Sequence, residues 1–382
     1  MQTLDTGLAR KRVPTLNAAD IAVELKTKIQ ANHPRYLLLY IRSLEELGGK
    51  HWEHGEIAGA IIGEDFSVIK DLGSVFQPNP DKFWQSHRLL AGGLRSERKD
   101  SLYFFYGGSP NHPYLLDESI GFAKGKMTDD WKFEWEEPQL LEFSEWEKHY
   151  DYSHESNFPD ELHHQWRDPY VVFHQGKYWM FVSAAAKTNS ELYKGCIGLA
   201  VADHPEGPYT ALPSPVFPKL TTDQGEEGIF YECERSHVHY HQGMWHLFFC
   251  AWRRRVNQNW LKQVDQGGTS ISDSTLYHYI SPQIQGPYFP AANLPIVKGS
   301  SETGFFAINF VETQPGELVA YGSNLNTTEL DISGQWQVFW NNNNPEIKRV
   351  GFSERQHLAG YPQKFRQPGY LVWDAMLGYL PV

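Results

Sequence analysis

From residue 34 onward the chain reads as short runs of apolar and aromatic residues, some alternating with polar ones and some continuous, separated by Gly, Pro, Asn and Asp. The clearest runs are 36–41, 102–106, 170–173, 178–182, 238–240, 245–250 and 336–340. Runs of four to eight residues bounded by turn formers predict β-strands. Only one stretch has a helical pattern, NAADIAVELKTKIQANH at 17–33, where Asn17 can cap and Ile21, Val23, Leu25 and Ile29 form a modest stripe. No second helix of good length is expected. The pattern predicts an all-β chain with an N-terminal extension and helix over 1–33 and the remaining fold over 34–382.

A weak repeat organises the strands. VVFHQGKYWMFVS at 171–183 and VHYHQGMWHLFFC at 238–250 share a strand, a His-Gln-Gly turn and an aromatic strand. A Gly-Pro-Tyr turn follows each of them, in HPEGPYTALP and QIQGPYFPA. LLAGGLRSERKDSLYFFYGG precedes the pair and NFVETQPGELVAYGS follows it, so four hairpin units are visible. Recurring hairpins point to a β-propeller, which gathers loops around an axial opening. A fifth blade must come from residues 34–78, and the C-terminal strand can close it.

Composition sharpens this picture. Aromatics make up 14% of the 382 residues, a share that suits pleated, half-buried surfaces. A formal net charge of −12 argues against nucleic acid, because phosphate contacts need a basic face. The run Arg253-Arg254-Arg255 is expected on a rim or loop. No apolar run is long enough for a membrane helix, so no membrane partner is expected. Cys196, Cys233 and Cys250 make neither a disulfide framework nor a zinc spacing. With no secretory signal visible in the first residues, a cytoplasmic setting is expected. His237, His239 and His241 alternate on one strand face, but without acids at fixed spacing they are expected to stack or hydrogen-bond. No metal and no cofactor are expected.

Two local motifs carry chemistry. Trp166-Arg167-Asp168-Pro169 leads into the strand YVVF. Asp-Pro there can be a turn device, or Asp168 can accept from two adjacent sugar hydroxyls while Arg167 orients it. Tyr231-Glu232-Cys233-Glu234-Arg235-Ser236-His237 leads into VHY. Its acids can be a solvated loop, or one can be a carboxylic acid that protonates a leaving group.

WRDPYVVFHQGKYWMFVSA resembles the Arg-Asp-Pro segment of levansucrases and inulosucrases. YECERSHVHYHQGMWHLFF resembles their Glu-Arg acid/base segment and a corresponding segment of arabinofuranosidases and xylosidases. ISPQIQGPYFPAANLPIV and Trp84-Gln85-Ser86-His87 extend the likeness, which covers about residues 84–325. With the invertases, these families are five-bladed β-propellers with an axial site. The resemblance implies a glycosidase or transglycosidase for a furanosyl bond, β-fructofuranosyl first, with a small-molecule or oligosaccharide substrate. Glu234 would be the acid/base, Asp168 the transition-state-stabilising or pKa-setting acid, Glu232 a partner behind the reacting groups, and Arg235 a contact to the aglycone or second sugar. Trp84, His87, Trp166 and Arg167 would also meet substrate.

The families also place a nucleophilic Asp on the first blade's inner strand, and no such segment occurs near the N-terminus. Val372-Trp373-Asp374 looks like that segment out of order, and Asp65 has the expected chain order; either can also be an ordinary turn or surface residue. Asp374 is the favoured candidate, reaching the axis if the last strand closes blade one. The alternatives are an inverting arabinofuranosidase or xylosidase, and a non-hydrolytic propeller, either a carbohydrate-binding pseudoenzyme or a tailoring enzyme.

Overall fold

A computed structural model describes residues 34–350 apart from short stretches at 45–53, 65, 99–100, 112–116, 129–131, 156–157, 190–191, 223–224, 267–270, 272–274, 292–294, 298–304, 315–316 and 325–328, together with 364–365 and 370–379. The expected helix at 17–33 and the candidate Asp65 lie outside the described residues.

Five antiparallel sheets form five blades, each read here from its innermost strand outward. Blade 1 is Tyr370–Tyr379, Pro34–Leu44, Glu56–Gly63 and Val68–Phe76. Blade 2 is Arg88–Arg98, Ser101–Ser109, Ser119–Met127 and Phe133–Trp135. Blade 3 is Trp166–His174, Lys177–Ala185, Gly195–Ala202 and Tyr209–Val216, with Phe143–Ser144 added in parallel at its outer edge. Blade 4 is Glu234–His241, Met244–Ala251, Thr275–Ser281 and Phe289–Pro290. Blade 5 is Phe305–Gln314, Glu317–Asn324, Glu329–Asn341 and Asn344–Arg349. The five innermost strands touch in succession and return to the first, so the sheets close into a ring. The chain's last described strand supplies the inner strand of blade 1, paired from Tyr36↔Tyr379 to Leu44↔Tyr370. That pairing leaves Pro34–Leu44 without an open edge.

The strands are apolar on both faces because each blade is packed between two others. Five buried clusters fill the five seams. In blade 4, Leu247 and Phe249 face blade 3 while Phe248 and Cys250 face blade 5. In blade 1, Leu37, Leu39 and Ile41 face blade 2, and Tyr36, Leu38 and Tyr40 face blade 5. The period-2 geometry of a strand thus feeds both seams at once.

The repeated hairpins have one geometry. Gln175 and Gly176, and Gln242 and Gly243, all have positive φ, as a tight two-residue turn requires. In both Gly-Pro-Tyr turns the tyrosine hydroxyl donates to a carbonyl four residues back, Tyr209 to Pro205 and Tyr288 to Ile284, each at 3.0 Å.

The sequence reading missed the helix Gln258–Gln266, which follows the Arg253–Arg255 turn. Asn257 caps it by accepting from Asn259 N–H at 2.9 Å. Trp260, Leu261 and Val264 seat it on the seam between blades 3 and 4. Its other positions are mostly Gln, Asn, Lys and Asp, which hid the short apolar stripe. Among the described residues no helix is long and apolar enough to cross a membrane.

Every innermost strand carries a β-bulge in its pairing with the second strand. Asp374 is the extra residue in blade 1, between the pairs Tyr40↔Ala375 and Ile41↔Trp373. Ala91 and Gly92, Asp168 and Pro169, Arg235 and Ser236, and Ala307 and Ile308 fill the corresponding places in blades 2 to 5. Bulges bend a strand and re-aim a side chain. Asp168, Arg235 and Ala307 take the left-handed conformation there, with φ of 54°, 54° and 49°. In blade 2 only glycine fits, since a Cβ on Gly92 would lie 1.8 Å from the Phe105 carbonyl oxygen. Gly92→Ala is therefore expected to destabilise the protein by ~2–4 kcal/mol. Chemical unfolding measures this, and a wild-type midpoint would show that the blade 2 bulge is not tightly packed.

Candidate active site

The motifs of blades 3 and 4 meet because both sit at the N-terminal ends of neighbouring innermost strands. Arg167 and Glu234 hold the same register, each the last paired residue before its bulge. Arg167 Nη2 lies 2.6 Å from Glu232 Oε2 and 3.2 Å from Glu234 Oε1. Its Nε faces Glu118 Oε2 at 3.4 Å and Asp168 Oδ2 at 3.8 Å. One guanidinium therefore holds four carboxyls from three blades and the loop before blade 4.

The carboxyls are supported from behind. Ser183 Oγ donates to Asp168 Oδ2 at 2.9 Å, and Arg235 N–H donates to the same oxygen at 3.3 Å. The blade 4 bulge thus turns the Arg235 backbone toward Asp168. Arg255 donates to Glu232 Oε1 at 2.7 Å and lies over the Tyr231 ring. Arg88 donates to Glu118 Oε1 at 2.6 Å. Glu232 is almost closed off, its side chain 1% exposed, whereas Asp168 and Glu234 keep 10% and 17%.

Burial is the main reason that the Glu234 carboxyl is pushed up to about 8; Glu232 adds to it and Arg167 opposes it. Burial also raises Glu118, against the pull of Arg167 and Arg88. Burial works against the charge on Arg167, but Glu118, Glu232, Asp168 and Glu234 together hold it more firmly than usual. Glu234 Oε2 is buried and has no hydrogen-bond partner among the described residues.

Of the residues singled out from sequence, Asp168, Glu234, Arg167 and Glu232 share this cluster, and Arg235 joins it through its backbone. Asp374 lies at the blade 1 bulge in the same ring of strands. Three expected substrate contacts stand elsewhere. Trp166 is 1% exposed and packs among Phe143, Trp146 and Tyr150. Its indole belongs to the core between blades 2 and 3 and offers no open face to a sugar. Trp84 lies on the blade 2 sheet, where a Cβ on Gly121 would come within 2.4 Å of its ring. Its neighbour there is Tyr106, at 5.9 Å between ring centroids. His87 meets His54 edge-on and lines a separate cavity of about 360 Å³ with Arg42, Glu56 and Gln77 at the seam of blades 1 and 2.

Sequence reasoning missed Glu118, Arg88, Ser183 and Arg255. Of these only Arg255 had a local signal, the basic run, and it points inward to Glu232. His237 hydrogen-bonds Tyr170 at 3.3 Å, and His241 stacks on Trp340 at 4.1 Å. Among the described residues no three His, Cys, Asp or Glu side chains are arranged to hold a metal ion.

The cluster makes stability depend on pH. Glu234 is raised in the folded state, so its contribution is complete below the ordinary value of 4.5 and is lost as pH rises through about 8. Arg167→Met removes the charge that all four carboxyls share. It is expected to cost ~3–5 kcal/mol above the Glu234 transition, and less in acid where carboxyls can protonate. Urea unfolding of both proteins across this range measures it, and a pH-independent difference would contradict the assignment.

The sequence matches no protein-family profile and no curated protein. Solved structures do match the fold. An inulosucrase from Halalkalicoccus jeotgali bound to kestose superposes with a TM-score of 0.60 at 16% identity, covering 83% of each chain. A levansucrase variant from B. megaterium gives 0.60 at 13% identity, over 82% of this chain and 80% of that one. A β-fructofuranosidase variant from Microbacterium saccharophilum gives 0.54 at 13% identity, over 75% of this chain and 64% of that one. At such identities the likeness establishes the fold, and the chain shares the five-bladed propeller of these sucrases and fructofuranosidases.

Proposed function

We propose that the protein is a retaining glycosidase or transglycosidase acting on a furanosyl bond, a β-fructofuranosyl bond before others. One observation carries this reading. Asp168 and Glu234 share a single guanidinium at the bulged ends of blades 3 and 4, and Asp374 takes the matching bulge in blade 1. The names of the proteins that share the fold, and the kestose bound to one of them, support the same substrate class.

In the first step the Glu234 carboxylic acid gives its proton to the glycosidic oxygen as the bond to the anomeric carbon breaks. The Asp374 carboxylate attacks that carbon, forming a glycosyl ester and releasing the aglycone as an alcohol. In the second step the Glu234 carboxylate takes a proton from water or a sugar hydroxyl. The oxygen so activated displaces Asp374 and restores both groups. Asp168, oriented by Ser183 and the Arg235 N–H, accepts hydrogen bonds from ring hydroxyls. Charge builds on the sugar in the transition state, and a carboxylate already held in place stabilises it without reorganisation.

Glu234→Gln is expected to slow turnover of alkyl and glycosyl fructofuranosides by ~10²–10⁴-fold while affecting activated aryl donors far less. The wild-type rate is expected to fall as pH rises through about 8, where Glu234 loses its proton. Steady-state kinetics measure both; an equal loss on both substrate types would remove Glu234 from the acid role. Product configuration is expected to be retained. Inversion would assign the site to the arabinofuranosidase and xylosidase type, and no turnover of any furanoside would favour a non-hydrolytic propeller.

A further inference from the structure

Glu118 belongs to neither motif, yet it reaches the axial cluster from a different blade. It stands immediately before the third strand of blade 2, Ser119–Met127, next to the bridge between Asp117 and His164 that ties this segment to the approach to blade 3. Arg88, at the start of the innermost strand of the same blade, fixes Glu118 Oε1 at 2.6 Å. Both side chains are 8% exposed. The other oxygen, Oε2, takes no hydrogen bond among the described residues and faces Arg167 Nε at 3.4 Å. Charges therefore alternate across three blades, from Arg88 through Glu118, Arg167 and Glu232 to Arg255.

We propose that Glu118 is a positioning residue for the axial acid: it draws on the Nε side of Arg167, and so limits how much of that charge reaches Glu234 on the Nη2 side. The proposal rests on the reading of Glu234 as the proton donor. Glu234 is faced by Glu232, Arg167, Asp168 and Arg255, and Glu118 by Arg167, Arg88, Asp168 and Glu232. Within this set three guanidinium groups meet four carboxyls, so a single proton brings it to neutrality. Glu234, with an unpartnered oxygen and a guanidinium nitrogen held closer to Glu232 than to itself, is the place for that proton. Removing the negative charge of Glu118 leaves the set neutral without the proton and frees Arg167 to pair fully with Glu234. The acid then ionises at lower pH.

The test is the carboxylic-acid C=O infrared band of Glu234, assigned by its disappearance in Glu234→Gln and followed against pH in the full-length protein. Glu118→Gln is expected to move the loss of this band down by ~1 pH unit. It should move the alkaline limb of kcat/KM by the same amount with KM little changed. A purely structural role for Glu118 would lower the melting temperature without moving either midpoint. Arg88→Met leaves the Glu118 charge wholly to Arg167 and gives the set a second excess negative charge, so it is expected to move the loss of the band up instead, and misfolding of one variant does not decide the matter. An unmoved midpoint in either folded variant, or no Glu234 acid band at neutral pH in wild type, overturns the proposal. The infrared readout needs no turnover, so a protein inactive on furanosides would defeat the proposed reaction while leaving the Glu118 result to stand or fall separately.

Discussion

The Arg167 guanidinium is the interaction on which the axial site depends. Four carboxyls from separate parts of the chain would repel one another if gathered in a water-poor space, and each would bear the cost of desolvation. A single delocalised cation with donors on two sides lets Glu118 and Asp168 approach Nε while Glu232 and Glu234 approach Nη2. Arg88 and Arg255 complete the arrangement from outside. Lysine could not substitute for it, because a point charge cannot hold carboxyls along a planar fork. The arrangement leaves the Glu234 carboxyl pushed up to about 8, and the proposed chemistry uses that acid.

The propeller places this charge where it can act. Closure around the axis brings five bulges together, and a bulge turns a strand's backbone without ending the sheet. In blade 3 the bulge holds Asp168 in a left-handed conformation beside Arg167. In blade 4 it turns the Arg235 N–H toward Asp168 immediately after Glu234. Blade 1 gains its bulge from the strand Tyr370–Tyr379, so the proposed nucleophile comes from the far end of the chain and its partners from the middle. The five packed seams hold these backbones rigidly, and a site of buried charges needs that rigidity to keep its geometry.

Much of this was legible in the sequence, and the omissions have physical reasons. The hairpin repeat exposed the propeller because two-residue turns and aromatic strands carry local signals. Arg167, Asp168, Glu232 and Glu234 stood out because each motif packs its charged groups within a few residues of an apolar strand. Glu118 and Arg88 did not stand out, since their significance lies in reaching Arg167 across a seam, a relation between positions remote in the chain. Trp166 and Trp84 stand apart from the Arg167 cluster, and the reason is related. An aromatic residue beside a motif can point to the axis or into a seam, and its neighbours in sequence do not say which. The Gln258–Gln266 helix escaped notice because a single seam-facing stripe among polar residues gives too weak a period.

The central claim is a two-step displacement in which Asp374 bonds to the sugar and Glu234 moves the proton. Its most direct test is to mix Glu234→Gln with an aryl β-fructofuranoside, quench in acid, and map the mass of each peptide. Loss of the base that activates water slows the second step, so the glycosyl ester accumulates. The account predicts one fructosyl unit on the peptide carrying Asp374, absent in the additional variant Asp374→Asn. Release of the aryl group at an undiminished rate in that variant, with no sugar attached to the protein, would contradict it.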